Sequence, residues 1–222
     1  MTMMKLLFIS FIFLLSYQLL PQSETGWETV FEKSGFVSTA DYQQSMDYFQ
    51  KLADYSEYAE LYSFGSSPQG RKLKYLLVTK ESNIRFPPGV ELFKPTILII
   101  NGIHSGEIEG KDASMLLLRE ILITKEKEYL LDSLNIIVIP IFSVDGHERK
   151  SKFNRINQNG PEEMGWRTTA QNLNLNRDWM KADAPEMQAM LKLVNEWDPD
   201  FIIDTHTTNG ADYQYTVTYS IE

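Results

Sequence analysis

Apolar positions along the chain recur at two spacings, one typical of helices and one typical of strands. Residues 40–54 and 185–197 repeat apolar side chains at helical spacing, and the second stretch opens with a proline at a favourable first-turn position. Short apolar runs at 73–79, 95–101 and 135–143 are bounded by turn residues. The pattern therefore predicts a sequence of helices and buried strands.

The order of these elements indicates the fold class. A helical stretch from about 107 to 124 separates the apolar, β-branched runs 95–101 and 135–143, which is typical of a parallel crossover in a sheet buried on both faces. Two further runs, 200–204 and 213–219, predict additional strands. We therefore expect an α/β fold with a mixed, largely parallel sheet flanked by helices.

Residues 144–176 form the longest stretch without a sustained period. They contain Gly, Asn, Pro, Ser and charged residues. A long irregular segment inside a compact domain is usually a functional loop. Substrate contacts are therefore expected here.

The N-terminal segment indicates export. Residues 1–20 carry one early lysine and then an apolar run that is short for a membrane span, so residues 1–22 are predicted to be a signal peptide. One domain, 23–222, would remain after cleavage near Gln22 to Glu24. An uncleaved anchor is the alternative, because no small-x-small cleavage motif is present. We expect a secreted or periplasmic protein without stable membrane association after cleavage.

Charge and cysteine content narrow the chemistry. The chain has 21 Lys and Arg against 30 Asp and Glu, a net charge of -9, and no basic run interleaved with aromatic residues, so nucleic acid is not an expected partner. The absence of cysteine excludes disulfides and thiolate metal sites. Any zinc site must use His and carboxylate ligands.

Two of the three histidines follow predicted strands directly. His104 comes after PTILIING and His206 after DFIID, and the carboxyl ends of strands are where ligands bind in open α/β sheets. Glu107 lies three residues beyond His104, a spacing that brings both side chains to one side of a helical first turn. Two histidines and one glutamate leave a fourth tetrahedral position open, which is typical of a catalytic zinc.

Single features of this set have ordinary explanations. A histidine near a strand end is more often a hydrogen-bonded loop residue, and His-x-x-Glu alone is a weak motif. A companion residue favours the metal interpretation: Asp204, two residues before His206, can accept its other ring N–H. His147 in DGHER has no such companion and is predicted to be a surface or loop histidine.

Arginines and an asparagine lie in the irregular stretch and directly after it. Arg155, Arg167, Asn176 and Arg177 place guanidinium and amide donors near the two ligand loops. Arginine suits bidentate recognition of a carboxylate and can stabilise the oxyanion formed on an attacked carbonyl. The alternative is that these arginines form solvated ion pairs with nearby acids; those acids are Glu162, Glu163 and Asp178.

Six motifs appear in an order that resembles the zinc carboxypeptidase family, which contains the pancreatic carboxypeptidases. They are NGIHSGEIEG, FSVDGHE, GWRTT, NLNLNRDW, APE and DTH, and the resemblance covers residues 65–217. The resemblance implies that one Zn²⁺ ion is bound by His104, Glu107 and His206, in a hydrolase that acts on peptides with a free C-terminal carboxylate.

The resemblance also implies roles for the polar side chains of the loop. Asn176 and Arg177 would hold the substrate carboxylate and Arg167 would polarise the scissile carbonyl, with Arg155 as the alternative for an arginine role. The chain departs from the family pattern at Ser143-Val144-Asp145-Gly146, where the family usually has Asn-Pro-Asp-Gly, and in the small residues between His104 and Glu107. Those departures favour a bacterial-type subgroup.

The family's general-base glutamate lies several tens of residues beyond the last zinc histidine, whereas sixteen residues follow His206 here. Glu222 is too close to serve as that base. We therefore expect a C-terminally incomplete form of a longer enzyme. Two alternatives remain, a zinc-dependent N-acyl-amino-acid or cell-wall peptide amidohydrolase, and a non-catalytic zinc- or peptide-binding module.

Overall fold

The computed structural model describes residues 26–81, 94–208 and 210–220. The predicted signal peptide, its cleavage region and Glu222 lie outside these described residues. No helix in the described ranges is both long and apolar enough to span a bilayer.

Five α-helices and five strands are found in the described part of the chain. They are α1 Val30–Lys33, α2 Tyr42–Tyr55, β1 Ala59–Ser66, β2 Lys72–Val78, β3 Thr96–Ile100, α3 Glu109–Leu122, β4 Asn135–Ile139, α4 Val144–Glu148, α5 Pro185–Trp197 and β5 Phe201–Asp204. Short 3₁₀ helices span Glu128–Asp132 and Leu175–Arg177. The predicted α2, α3 and α5 are confirmed, with ends within two residues of the expected bounds.

Local sequence fixes where α2 begins. The Asp41 carboxylate accepts a hydrogen bond from the Gln44 backbone N–H at 2.7 Å, and the Gln44 side chain accepts one from the Asp41 N–H at 3.0 Å. This reciprocal pair satisfies two donors that the first helical turn leaves without partners. Phe49 and Leu52 then face the core from the same helix.

The five strands form one mixed sheet in the order β1-β2-β4-β3-β5. β1 with β2 and β2 with β4 are antiparallel, while β3 pairs in parallel with both β4 and β5. Helix α3 connects β3 to β4, which confirms the predicted parallel crossover. The predicted α/β class is confirmed, and β3 and β5 end at the same edge of the sheet.

Both faces of β2, β3 and β4 are covered, and alternate residues of each strand point to opposite sides. One face packs against α2 and α3, and the other packs against α5. Helix α5 contributes Met187, Met190 and Leu193 to the second layer, where Tyr75 from β2 is fully buried. Strand β5 lies at the sheet edge with its apolar side chains exposed, and its backbone pairing with β3 sets where the loop that carries His206 begins.

One predicted strand is shorter in the structure, and one strand was not predicted. The run 135–143 ends as a strand at Ile139, because Pro140 has no N–H to donate to a strand ladder, and the chain turns into α4 at Val144. β1 precedes the run that the sequence marks as the first strand. Its half-exposed residues and a register shift between Ser63 and Gly65 leave no clear period in the sequence.

The strand predicted at 213–219 is wrong. These residues form bends and irregular backbone, and their large side chains are exposed. They pair with no strand of the described residues. Alternating Tyr and Val residues fit a strand only when a neighbouring strand supplies hydrogen bonds and a surface to pack on.

Candidate metal centre

The parallel pairing of β3 with β5 brings the two predicted histidine ligands together. Ile100 lies opposite Asp204 in the register, and His104 and His206 follow a few residues beyond each strand end. Their ring centroids lie 5.1 Å apart and their planes are inclined by 56°. Residues about a hundred positions apart in sequence therefore meet at one edge of the sheet, as predicted.

Glu107 lies between the two rings. Its carboxylate is 3% exposed, with Oε1 3.2 Å from Nδ1 of His104 and Oε2 2.9 Å from Nδ1 of His206. The ligand atoms of the three side chains all lie within 4.8 Å of one another. His104, Glu107 and His206 form what we call the ligand triangle.

A side chain that the sequence analysis missed fixes the tautomer of His104. The Asn174 Oδ1 atom accepts a hydrogen bond from the backbone N–H of Asn176 at 3.1 Å, so this atom is the amide oxygen. The same oxygen lies 3.2 Å from Nε2 of His104, so Nε2 must carry the proton that it donates. The lone pair of His104 is thus on Nδ1, which faces Glu107.

The ligand triangle fits a zinc ion. Nδ1 of His104 is buried without a hydrogen-bond partner, although it lies 3.2 Å from Glu107 Oε1. With the proton on Nε2, both atoms are acceptors, and a cation between them would satisfy both. Two imidazole nitrogens and one carboxylate are a donor set that suits a catalytic zinc site.

The predicted contact between Asp204 and His206 is confirmed. Its Oδ2 atom lies 3.0 Å from Nε2 of that ring. The hydrogen bonds to Asp204 and then to Glu107 raise the pKa of His206 to about 9, because both carboxylates stabilise the imidazolium. Asp204 therefore orients the ring so that Nδ1 points to Glu107, as a carboxylate partner does for metal-bound histidines.

Arg155 and Arg167 both reach the ligand triangle. Nη2 of Arg155 donates a hydrogen bond to Oε1 of Glu107, and Nη1 of Arg167 lies 3.4 Å from the same oxygen. Burial alone would raise the pKa of Glu107, but the neighbouring side chains of His104, His206 and Arg155 outweigh it and hold the pKa well below its ordinary value. The contact makes Arg155 a direct neighbour of the site.

Among the described ion pairs, none joins these arginines to the acids named as the alternative. Asp178 accepts hydrogen bonds from the N–H groups of Asp183 and Ala184 and pairs with Lys181 at 3.6 Å. Among the described ion pairs, those of Arg155 and Arg167 are made with Glu107. The guanidinium groups of Arg155 and Arg167 therefore contact the ligand triangle.

Gly106 makes the approach of Arg155 possible. A Cβ atom at this position would lie 2.6 Å from Cγ of Arg155 and 3.3 Å from the carbonyl oxygen of Gly165. Any larger residue would therefore force Arg155 away from Glu107. The glycine in His-Ser-Gly-Glu has a packing role that the motif alone did not reveal.

Asn176 and Arg177 lie on the 3₁₀ turn next to His206. Nδ2 of Asn176 is 3.5 Å from Nε2 of His206, and Nη1 of Arg177 donates to the Asn176 carbonyl at 2.8 Å. Arg177 is exposed. The structure thus places Asn176 beside His206, with Arg177 exposed on the same turn.

The prediction of a surface or loop position for His147 is wrong. His147 is buried in α4, where Nε2 lies 3.1 Å from Nζ of Lys111 and Nδ1 lies 2.8 Å from the Glu148 carboxylate. Burial and then the Lys111 charge lower the pKa of His147. Burial also lowers the pKa of Lys111 to about 7. These contacts join α3 to α4 and lie outside the ligand triangle.

A family model matches most of the chain. The zinc carboxypeptidase family model (Peptidase_M14) matches residues 45–220. No curated protein matches the chain.

Three solved structures illustrate the likeness of fold. A metallo-carboxypeptidase from Burkholderia cenocepacia matches with a TM-score of 0.61 at 18% identity, covering 78% of this chain and 43% of that one. A metallo-carboxypeptidase from Pseudomonas aeruginosa, in complex with (2-guanidinoethylmercapto)succinic acid, matches with 0.60 at 19%, covering 78% and 41%. Carboxypeptidase A from Helicoverpa armigera matches with 0.58 at 20%, covering 76% and 46%. The chain spans less than half the length of these three structures.

Proposed function

Because the chain belongs to the zinc carboxypeptidase family, we propose that the protein hydrolyses the C-terminal peptide bond of peptides with one zinc ion held by His104, Glu107 and His206. The observation that carries the proposal is the buried, partnerless Nδ1 of His104, which faces Glu107 beside the Nδ1 of His206. When bound there, zinc would act as a Lewis acid, which polarises a carbonyl oxygen and makes water more acidic.

The chain's own residues hold the ligand triangle in the geometry that zinc needs. Asn174 keeps the proton of His104 on Nε2, and Asp204 orients His206 through its own Nε2. Among the described residues, Asp204 is the carboxylate outside the ligand triangle that is hydrogen-bonded to one of its members. Such partners raise the basicity of metal-binding imidazoles and keep the rings in place.

We assign recognition of the substrate's terminal carboxylate to Asn176 and Arg177. Asn176 lies 3.5 Å from His206, and exposed Arg177 is fixed by its hydrogen bond to the Asn176 carbonyl. A guanidinium presents parallel N–H donors that match a carboxylate, and an amide adds a further donor. A peptide held there would place its last amide bond over the ligand triangle.

Arg167 is assigned to the carbonyl of the scissile bond. Its guanidinium is partly exposed and lies 3.4 Å from Glu107, so it borders both the ligand triangle and solvent. A fixed N–H donor at this point would stabilise negative charge that develops on the carbonyl oxygen. Arg155, which is more buried, is assigned to hold Glu107.

A matched pair of peptides tests the proposal. The zinc-loaded protein, expressed from its complete coding sequence, is incubated with one peptide as the free acid and as the C-terminal amide, and release of the last residue is followed by chromatography. We expect the free acid to be cleaved at least 100-fold faster, since charge-assisted hydrogen bonds to the carboxylate would be lost in the amide.

Other outcomes of this assay identify the alternatives. Equal cleavage of both peptides would mean that Asn176 and Arg177 do not bind a terminal carboxylate and would favour an amidohydrolase. Binding of the free acid without cleavage would favour a non-catalytic module. Arg177→Gln should remove the preference for the free acid, whereas Lys192→Gln, an equal change of charge on α5, should keep it.

Export is a further part of the proposal and is supported by the apolar segment 1–20. Mass spectrometry of the protein expressed with its full N-terminus should find a mature chain that begins near residues 22–24 outside the cytoplasm. A chain that retains Met1 would favour the uncleaved anchor.

A further inference from the structure

A cavity of about 420 Å³ opens beside the ligand triangle, on the side of the two arginines that contact Glu107. Its lining includes Asn154, Arg155, Trp166, Arg167, Thr168 and Asn172. The described residues that line it include no acid, although the whole protein has a net charge of -9. The cavity is therefore flanked by cationic side chains in an acidic protein, while most of its accessible surface is apolar.

Two polar atoms of the lining residues have no partner. Arg155 is 8% exposed, its Nη2 donates to Glu107 and its Nε donates to Gln158 at 3.0 Å, but its Nη1 is buried with no hydrogen-bond acceptor. The hydroxyl of Thr168 is likewise buried without a partner. Buried donors without acceptors are costly, so an acceptor supplied by a ligand would be bound favourably.

A third arginine stands at the rim of the cavity. The guanidinium of Arg149 lies 5.3 Å from the ring centroid of Trp166, and its Nη1 is 3.5 Å from Oδ1 of Asn172. Trp166 itself is 43% exposed. The stacked indole holds the cation beside the opening, where it can meet an anionic group on entry.

The charges near the cavity do not cancel. Three positive charges lie here, on Arg149, Arg155 and Arg167. Glu107 contacts the last two of these arginines, and its carboxylate also faces His104 and His206. The complementary ligand group is a carboxylate, which guanidinium groups bind with paired hydrogen bonds.

The position of the cavity decides which part of a substrate it meets. Asn176, assigned above to the terminal carboxylate, lies against His206, whereas Arg155 and Arg167 lie against Glu107. The two regions thus contact different members of the ligand triangle. A peptide anchored at Asn176 and crossing the triangle would reach the cavity with residues on the acyl side of the cleaved bond.

We propose that this cavity is a subsite for an acidic side chain on the acyl side of the scissile bond, so that the protein selects peptides with Glu or Asp upstream of the last residue. The inference rests on the proposed function for the direction in which the peptide is bound.

Equilibrium binding tests this selection without any need for hydrolysis. Zinc-loaded protein is titrated calorimetrically with Glu-Glu-Phe and Gln-Gln-Phe analogues whose last peptide bond is reduced to an amine and cannot be hydrolysed. We expect the Glu-Glu analogue to bind about tenfold tighter, the effect of a charge-assisted hydrogen bond at a partly exposed site. Equal affinities would overturn the proposal.

Variants and a capped ligand show where the preference arises. Arg149→Gln should remove most of it, whereas Lys192→Gln, with the same loss of charge at a side chain 75% exposed on α5, should leave it intact. An equal effect of both variants would mean a general effect of net charge and would contradict the subsite.

The preference should also persist when the C-terminus of both analogues is a carboxamide. Its loss there would show that the cavity holds the terminal carboxylate instead. Failure of the proposed function is separable from these outcomes, because it shows as absent peptide cleavage while the binding preference stays measurable.

Discussion

Nε2 of His104 donates a hydrogen bond to Oδ1 of Asn174 across 3.2 Å, and the opposite ring nitrogen therefore faces Glu107 with its lone pair. The same oxygen accepts the backbone N–H of Asn176. One amide group thus links a metal-ligand candidate to the turn that carries the proposed carboxylate-binding residues. A small shift of this turn would therefore move both the hydrogen-bond partner of His104 and the proposed carboxylate-binding residues.

Replacing Asn174 with alanine should weaken zinc binding by about 10- to 100-fold, because His104 loses the partner that fixes its ring and tautomer. Competition with a chelator of known affinity measures the change. Asn195→Ala, at an exposed position of α5, is the matched control and should leave zinc affinity as it is. An unchanged affinity in Asn174→Ala would show that the hydrogen bond does not support the site.

Gly106→Ala should lower the free energy of unfolding by about 1–3 kcal/mol, the usual cost of inserting a methyl group into a packed site. The new Cβ would lie 2.6 Å from Cγ of Arg155, so that side chain must leave Glu107. Urea denaturation measures the loss. In an Arg155→Ala background the same substitution should cost clearly less, since the clashing Cγ is gone, and full additivity of the two changes would refute the explanation.

Glu186→Gln should stabilise the protein near pH 7 by about 1 kcal/mol or more, because a buried carboxylate without partners is costly. Glu186 is 0% exposed, and neither of its carboxylate oxygens has a hydrogen-bond partner. Burial, then the charges of Asp145 and Asp178, raise its pKa above the ordinary value of 4.5.

The pH dependence of this effect has a defined sign. The folded state keeps the Glu186 proton to higher pH than the unfolded state, so the contribution of Glu186 to stability falls as pH rises from about 4.5 through the folded pKa. Denaturation of wild type and Glu186→Gln near pH 4 and pH 7 should therefore show a difference that grows with pH. Glu196→Gln, on the same helix, serves as the control. A stability difference between wild type and Glu186→Gln that stays constant with pH would show that ionisation of Glu186 is not its cause.

The sequence predicts the ligand triangle because its geometry follows from simple rules. Both histidines directly follow apolar runs, and parallel strands place their carboxyl ends at one edge. Glu107 follows from helical spacing. Asn174 could not be found in this way, since it reaches His104 from a loop whose path depends on tertiary packing.

The errors have the same origin. Nothing in the local sequence marks His147 as buried, but α4 packs it against Lys111 from α3. The alternation in 213–219 is a strand pattern without a strand partner among the described residues. Contacts between distant segments decided both outcomes, and local patterns carry no record of such contacts.

The central claim is that His104, Glu107 and His206 bind one zinc ion, and metal analysis of the purified protein tests it most directly. Wild-type protein dialysed against buffer with zinc and then against zinc-free buffer should retain about one zinc ion per chain, as a catalytic site with three protein ligands does. His206→Ala should retain almost none. His147→Gln, which removes the histidine outside the ligand triangle, should retain the wild-type amount, with circular dichroism used to verify that both variants are folded. Unchanged zinc content in a folded His206→Ala variant would contradict the claim.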